Sequence, residues 1–302
     1  MRPCLTSGHS PNNPLRRRKL VYVYLFLPQR FLLLEKFLSS PESIIIKFNR
    51  SSLEAIILLA GYGSRLDRQD LPHKSLLPFG EETLLSRHLK CLQNIGIQKV
   101  HLILGHNGDA VKNYAQELNL QISLNFIDNP VYLTTGNTLS MVMGLRHCEG
   151  ETLILDGDVL YPPQALMGYV KNAPRSSFAL IPADIEDAEC AKVLLNPSGT
   201  IHAFITKRAL TKDERSVFVF GGEAIGFFML SKKDVPHFIK LYEKKEEDFL
   251  PVLWEIPFTE FAVNTELHPW QVTEKGCFEI DTQEDYSAAL IQFKSNPDLY
   301  NL

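Results

Sequence analysis

The sequence predicts an α/β fold in three layers, a mostly parallel sheet sandwiched by helices, and three observations carry that prediction. Ala55 to Ala60 is a short, unbroken apolar run, the pattern of a strand covered on both faces. Apolar strands and amphipathic helices alternate from there to Asp158, which calls for right-handed crossovers and a largely parallel sheet. The chain has 302 residues, 45% of them hydrophobic, so it can bury a sizeable core and is neither a disordered nor a collagen-like chain.

Taken in order, the strand at Ala55–Ala60 runs directly into Gly61-Tyr62-Gly63. Thr83 suits the cap of a helix whose Leu84, Leu85, His88, Leu89, Leu92 and Ile95 share one face and whose stop signal is Gly96. Val100–Leu104 reads as the next strand, Ala110–Leu118 as a helix, Ile122–Ile127 as a strand and Thr138–Arg146 as a helix. Thr152–Leu155 is a further strand, ending at Asp156-Gly157-Asp158. The second half changes to short strands at Phe178–Ala183, Ala191–Leu195 and Ile201–Ile205, with Asn196-Pro197-Ser198-Gly199 as a hairpin signal. A strand at Ala224–Leu230, helices at 232–245 and near 248–255, and a strand at Cys277–Ile280 follow. Thr282 and Asp285 are spaced as a capping box for the last helix.

Charge divides the chain. Residues 1–52 hold nine basic and two acidic side chains, whereas residues 53–302 hold 22 basic and 33 acidic ones. An acidic body is a poor binder of polyanions, so nucleic acid is not expected as a partner. Residues 1–52 read as a basic, poorly ordered N-terminal extension, and 53–295 as one catalytic domain. The apolar stretch Leu20–Leu27 falls short of the roughly 20 residues that a membrane-spanning helix needs, so no transmembrane segment is expected. Five scattered cysteines without a CxxC pair suit a reducing, cytoplasmic compartment.

The glycine loop carries the first chemical signal. Glycines directly after a buried strand let the main chain turn sharply and present N–H groups to phosphate. A dinucleotide fingerprint would need Gly or Ala where Leu66 stands, and a P-loop would need Gly-Lys-Ser/Thr, which is absent. What is present is Gly61-x-Gly63-x-Arg65-Leu66, with Lys74 nine residues beyond Arg65 in Lys74-Ser75-Leu76-Leu77-Pro78-Phe79-Gly80. Two acidic segments, Asp156-Gly157-Asp158 and Glu279-Ile280-Asp281, end strands, and ligands collect at the carboxyl ends of strands in open α/β sheets. Such a carboxylate pair with phosphate oxygens suits Mg²⁺. A metal-dependent glycosyltransferase also carries Asp-x-Asp after a strand, but has no need of GxGxR with a downstream lysine.

From about Glu54 to Leu290 the chain resembles the nucleotidylyltransferases of the sugar-1-phosphate and phosphocholine type, the MobA-like NTP transferases. The resemblance implies a Rossmann-like sheet of the nucleotide-diphospho-sugar transferase type and transfer of a nucleotidyl group, with release of pyrophosphate. It implies that Leu59, Ala60, Gly61 and Gly63 bind nucleotide, that Arg65 holds the departing pyrophosphate and that Lys74 holds the α-phosphate. Preorganised cations at those positions stabilise the charge that builds on the phosphorus. Family members usually have Pro after this lysine; Ser75 departs from that and puts the loop geometry in question. Gly157-Asp158-Val159 and Glu279-Ile280-Asp281-Thr282 match the family's metal contexts, so Asp158 and Asp281 are the expected Mg²⁺ ligands, with Asp156 either a ligand or a loop hydrogen-bond acceptor.

Gly136 would let a base edge approach the main chain, and Asn137 and Ser140 suit base or ribose contacts, although Asn137 equally suits an N-cap. For the acceptor, Trp254 offers an aromatic face for an ammonium and Glu223 and Glu255 offer countercharges, while a core role for the tryptophan stays open. Lys192 and Lys207 suit the acceptor phosphate or a solvated surface. The expected partners are therefore an NTP, CTP being favoured by the subfamily, and a small phosphomonoester or phosphonate of the phosphocholine kind. A sugar-1-phosphate or inositol phosphate is the alternative acceptor, and a nucleotide-binding regulator without turnover is the alternative of another class.

Overall fold

The computed structural model describes residues 53–66, 68 and 70–302; the expected N-terminal extension lies outside the described residues. Along the chain come β1 (Leu53–Leu59), β2 (Pro78–Phe79), β3 (Glu82–Thr83), α1 (Leu84–Ile95), β4 (Lys99–Leu104), α2 (Gly108–Glu117), β5 (Ser123–Asp128) and α3 (Asn137–Leu145). Then follow β6 (Glu151–Asp156), β7 (Val159–Leu160), α4 (Pro163–Asn172), β8 (Ser177–Ile181), β9 (Lys192–Leu195), β10 (Ile201–Ile205), α5 (Lys212–Val217) and β11 (Val219–Leu230). The chain closes with α6 (Asp234–Lys244), α7 (Glu246–Phe249), α8 (Glu255–Phe261), β12 (His268–Gln271), β13 (Phe278–Glu279) and α9 (Gln283–Ser295).

The main sheet runs in the order β10-β9-β11-β6-β1-β4-β5, with β8 paired to β11 and β12 paired to β8. Its first-half strands are parallel: β1 pairs with β4 and β6, and β4 with β5. Side chains of β1 alternate between the two faces, as the unbroken apolar run requires. Ala55, Ile57 and Leu59 pack with Leu85, Leu89, Val111 and Leu166 of α1, α2 and α4. Ile56 packs on the other face with Met141, Val142, Phe238 and Phe258 of α3, α6 and α8. The three-layer αβα arrangement follows.

The helix signals act as the sequence predicts. Thr83 and Ser86 cap α1 reciprocally, Gly96 ends it at φ +94°, and Thr282 and Asp285 form the capping box of α9. Helices α4 and α5 and strand β12 are not among the expected elements, and two predicted elements differ from expectation. Strand β11 begins at Val219 rather than Ala224 and is antiparallel to β6, β8 and β9. Gly222 at φ +117° and Gly226 at φ +71° bend it, and a Cβ at Gly222 would stand 2.4 Å from the Ile181 carbonyl. The helix expected near 248–255 is instead a break between α7 and α8, centred on Pro251, which has no N–H for a helical bond. Carbonyls in the break are taken from outside: Gly136 N–H donates to Leu250 O (2.8 Å) and Thr138 Oγ1 to Val252 O (2.8 Å).

Candidate active site

A cavity of about 380 Å³ opens where β1 and β6 end, lined by the glycine loop on one side and by the 250–255 segment on the other. Strand β1 delivers the loop. Gly61 has open space where a Cβ would stand, whereas Gly63, at φ +65°, turns the chain over the Lys74 side chain. Leu66 then anchors the loop in a third apolar cluster with Leu77, Phe79 and Ile280.

The Lys74 turn is held by its neighbour. His73 Nδ1 accepts the Ser75 N–H (3.1 Å) and lies 2.8 Å from Ser75 Oγ, which caps the short 3₁₀ turn Lys74–Leu76. Ser75 is buried there, so the departure from the family's proline is offset by a side-chain cap. Burial holds His73 neutral, at about 4, and His106 adds to the shift.

A two-residue ladder brings the acidic segments together. Phe278 and Glu279 of β13 pair antiparallel with Leu160 and Val159 of β7, and Ile280 N–H donates to Asp158 O (3.0 Å). Lys74 Nζ donates to Asp158 Oδ2 (3.0 Å) and to Asp281 Oδ1 (2.7 Å), and Arg65 donates to Asp281 Oδ2 (2.7 Å). Burial works against the Lys74 charge, but Asp158 and Asp281 outweigh it and hold the ammonium above its usual pKa. Glu279, which sequence reasoning quoted only as motif context, is a third member: one oxygen each of Asp158, Glu279 and Asp281 lie within 4.8 Å of one another. Burial, then Asp158 and Asp281, push the Glu279 carboxyl up to about 8. Asp156 is raised well above the usual carboxylate range by burial and by Asp158, while Trp254 Nε1 donates to its Oδ2 (3.1 Å).

These residues fit a divalent cation. Asp158 Oδ1 is buried with no hydrogen-bond partner, and four carboxyl groups, of Asp156, Asp158, Glu279 and Asp281, gather around the two cations Lys74 and Arg65. Burial and that crowding keep the Asp156 and Glu279 carboxyls raised, and such a set of hard oxygen donors is what Mg²⁺ takes.

Of the other predicted residues, Gly136, Asn137, Ser140, Trp254 and Glu255 line the cavity, whereas Lys192, Lys207 and Glu223 do not. Gly136 and Asn137 line the cavity, but Gly136 is needed for chain packing: a Cβ there would stand 1.9 Å from the Val252 carbonyl. Asn137 Oδ1 accepts the Trp254 N–H (2.9 Å), and the N-cap position of α3 falls on Gly136, one residue earlier. Ser140 Oγ accepts from Asn129 Nδ2 (3.0 Å), and Asn129 also lines the cavity. Trp254 does not present an open face; its ring packs against Phe228 and Phe178 at centroid distances of 4.8 and 5.8 Å, leaving its N–H edge toward Asp156.

Lys192 is neither a surface lysine nor a lining one. It is wholly buried, and its ammonium is caged by the carbonyls of Asp187, Cys190 and Arg208. Glu223, opposite Lys192 in the β9–β11 ladder, lies outside the cavity lining, its carboxyl raised by burial and by Asp187. Lys207 is exposed at φ +55° and outside the lining, with its charge felt at Glu255. Glu255 does line the cavity; burial lifts it to about 7, and its Oε2 has no partner.

Residues 55–221 match the family described as the MobA-like NTP transferase domain. The chain belongs to that family of nucleotidyltransferases. Among curated relatives, this NTP transferase is 25% identical to the CMP-5'-(3-aminopropyl)phosphonate synthase of Streptomyces rubellomurinus, over 80% of this chain and 39% of that one. It is also 25% identical to the bifunctional protein GlmU of Marinobacter nauticus, over 55% of this chain and 36% of that one. The chain thus spans well under half the length of these relatives. Among solved structures, the CTP:phosphocholine cytidylyltransferase of Streptococcus pneumoniae matches with a TM-score of 0.63 at 17% identity, covering 80% of this chain and 99% of that one. The inositol-1-phosphate CTP transferase of T. maritima matches with a TM-score of 0.63 at 18% identity, covering 80% and 96%. These likenesses establish the nucleotide-diphospho-sugar transferase fold. Among the described residues no helix is long and apolar enough to cross a membrane.

Proposed function

We propose that the domain transfers a nucleotidyl group from an NTP, CTP being favoured, to a small ammonium-bearing phosphomonoester or phosphonate and releases pyrophosphate. The observation that carries this reading is Lys74 set between Asp158 and Asp281, under the glycine loop, with Arg65 on Asp281. An acceptor phosphoryl or phosphonyl oxygen attacks the α-phosphorus; a new P–O bond forms as the bond to the β-phosphate oxygen breaks, and the electron pair leaves with pyrophosphate. The glycine loop cradles the phosphates, Lys74 compensates charge at the α-phosphate, and Arg65 holds the departing pyrophosphate. Asp158 and Asp281, with Glu279, would hold Mg²⁺, which supplies Lewis-acid neutralisation of phosphate charge when bound. In the free protein the ammonium of Lys74 occupies the company of these carboxylates. A cation bound by these carboxylates would leave Lys74 to compensate the phosphate.

The ammonium-bearing acceptor is supported by the lining beyond the phosphates, where Glu255 borders the cavity and its Oε2 has no hydrogen-bond partner. The names of two similar proteins, the aminopropylphosphonate synthase and the phosphocholine cytidylyltransferase, agree with such an acceptor. We place the enzyme in a reducing, cytoplasmic compartment, as the scattered cysteines suggest. The test is a substrate matrix read by pyrophosphate release: four NTPs against phosphocholine, phosphoethanolamine, 2-aminoethylphosphonate, inositol phosphate and glucose-1-phosphate, with Mg²⁺. CTP with an ammonium-bearing acceptor should lead. A preference for the hexose or inositol phosphate would overturn the acceptor, and NTP binding without pyrophosphate from any pair would overturn the reaction.

A further inference from the structure

A second cluster of metal-ligating side chains lies at the opposite ends of the same strands. Glu54 is the second residue of β1, His101 the third of β4, and Cys148 stands in the loop between α3 and β6. Glu54 Oε2 is 3.1 Å from His101 Nε2, and one ligating atom each of Glu54, His101 and Cys148 lie within 4.8 Å of one another. Glu54 and His101 are buried and Cys148 is partly so. We infer that Glu54, His101 and Cys148 form a second metal site, for Zn²⁺ or a cation of the same ligand preference, which ties β1, β4 and the α3–β6 loop together.

The donor set selects the metal. One thiolate, one imidazole and one carboxylate suit zinc and not Mg²⁺, so the cluster is chemically distinct from the all-oxygen site at the other end of the sheet. Ligand atoms about 2.0–2.3 Å from a tetrahedral zinc stand roughly 3.3–3.8 Å apart, so the Glu54–His101 pair is already near that separation and a small closure brings in the sulfur. A ligating histidine needs its other nitrogen held; here Asn125 Nδ2 faces His101 Nδ1 at 3.0 Å, and Nε2–H donates to Glu54 Oε2 (3.1 Å), so ligation requires the Asn125 amide to turn over. With the amide oxygen turned to that nitrogen, Nδ1–H donates to Asn125 and the Nε2 lone pair points to the cluster. Water would fill the fourth position.

Charge also balances. Lys99 Nζ now lies 2.9 Å from Glu54 Oε2 and supplies the countercharge, from a side chain that is 41% exposed and free to turn into solvent. Metal entry exchanges that ammonium for a divalent cation and releases the Cys148 thiol proton to water, leaving one thiolate and one carboxylate around two positive charges. Without metal, the Cys148 thiol donates to the Gly144 carbonyl (3.5 Å), and burial raises its pKa to about 12.

The test is titration of the full chain with Co²⁺, followed in the near ultraviolet. A sulfur-to-cobalt charge-transfer band requires thiolate, so the Asp158, Glu279 and Asp281 cluster cannot produce it. Wild type should show the band saturating at one equivalent and bleached by Zn²⁺. Cys148→Ser should lose it while melting as wild type does in chelator; Asn125→Ala should weaken binding about 10–100-fold, and Lys99→Ala should tighten it. No band in wild type, or an equal band in Cys148→Ser, overturns the site.

Discussion

The two walls of the active-site cavity are built on different principles. The phosphate wall consists of charges held by charges: Lys74, Arg65, Asp158 and Asp281 form one network whose members pair with each other rather than with the core. The acceptor wall consists of polar edges on an aromatic block, where Trp254 packs among Phe178, Phe228 and Phe258 and shows the cavity only its N–H side. On the proposed function, the first arrangement would serve any phosphate that enters, and the second would be shaped by side chains that can change without disturbing the chemistry. Substitutions at the phosphate wall should therefore slow all acceptors alike, and substitutions at the acceptor wall should reorder them.

Metal removal should have the largest effect. Chelation is expected to bring pyrophosphate release to background for every acceptor, with recovery on adding Mg²⁺; turnover that survives chelation would break the phosphate-wall account. Lys74→Ala should follow, lowering kcat/KM by roughly 10² or more, since one preorganised charge-stabilising donor is worth about 2.7–4 kcal/mol. Between the walls, Gly136→Ala forces a Cβ to within 1.9 Å of the Val252 carbonyl. It should destabilise the fold by about 1–3 kcal/mol in denaturant titrations, as overpacking does. The smallest effect is the most discriminating. Glu255→Gln should raise KM about tenfold for ammonium-bearing acceptors, in keeping with a hydrogen bond to a charged group, and leave glucose-1-phosphate unchanged in a side-by-side KM measurement.

The same contrast explains what could be read from the sequence. The phosphate wall was legible because its parts are short and local: an apolar run into Gly61-x-Gly63-x-Arg65, a lysine nine residues on, and aspartates at strand ends. Glu279 escaped notice because its neighbour Asp281 already satisfied the motif, and only the β7–β13 ladder shows both in one cluster. The acceptor wall depends on contacts far apart in sequence. Nothing near Trp254 announces that Phe178 and Phe228 cover its ring. Gly136 was recognised for its lack of a side chain, but the partner that requires this is Val252, more than a hundred residues away. Fold elements with local stop and start signals, such as Thr83 with Gly96 and Thr282 with Asp285, were correspondingly secure.

The most direct test of the division between the walls is a single experiment, kcat/KM by pyrophosphate release for wild type, Lys74→Ala and Glu255→Gln across the acceptor panel. The account predicts a uniform fall of roughly 10² or more for Lys74→Ala, and for Glu255→Gln a fall confined to phosphocholine, phosphoethanolamine and 2-aminoethylphosphonate. A Lys74→Ala variant with near-wild-type turnover, or a Glu255→Gln variant that slows every acceptor equally, would contradict it.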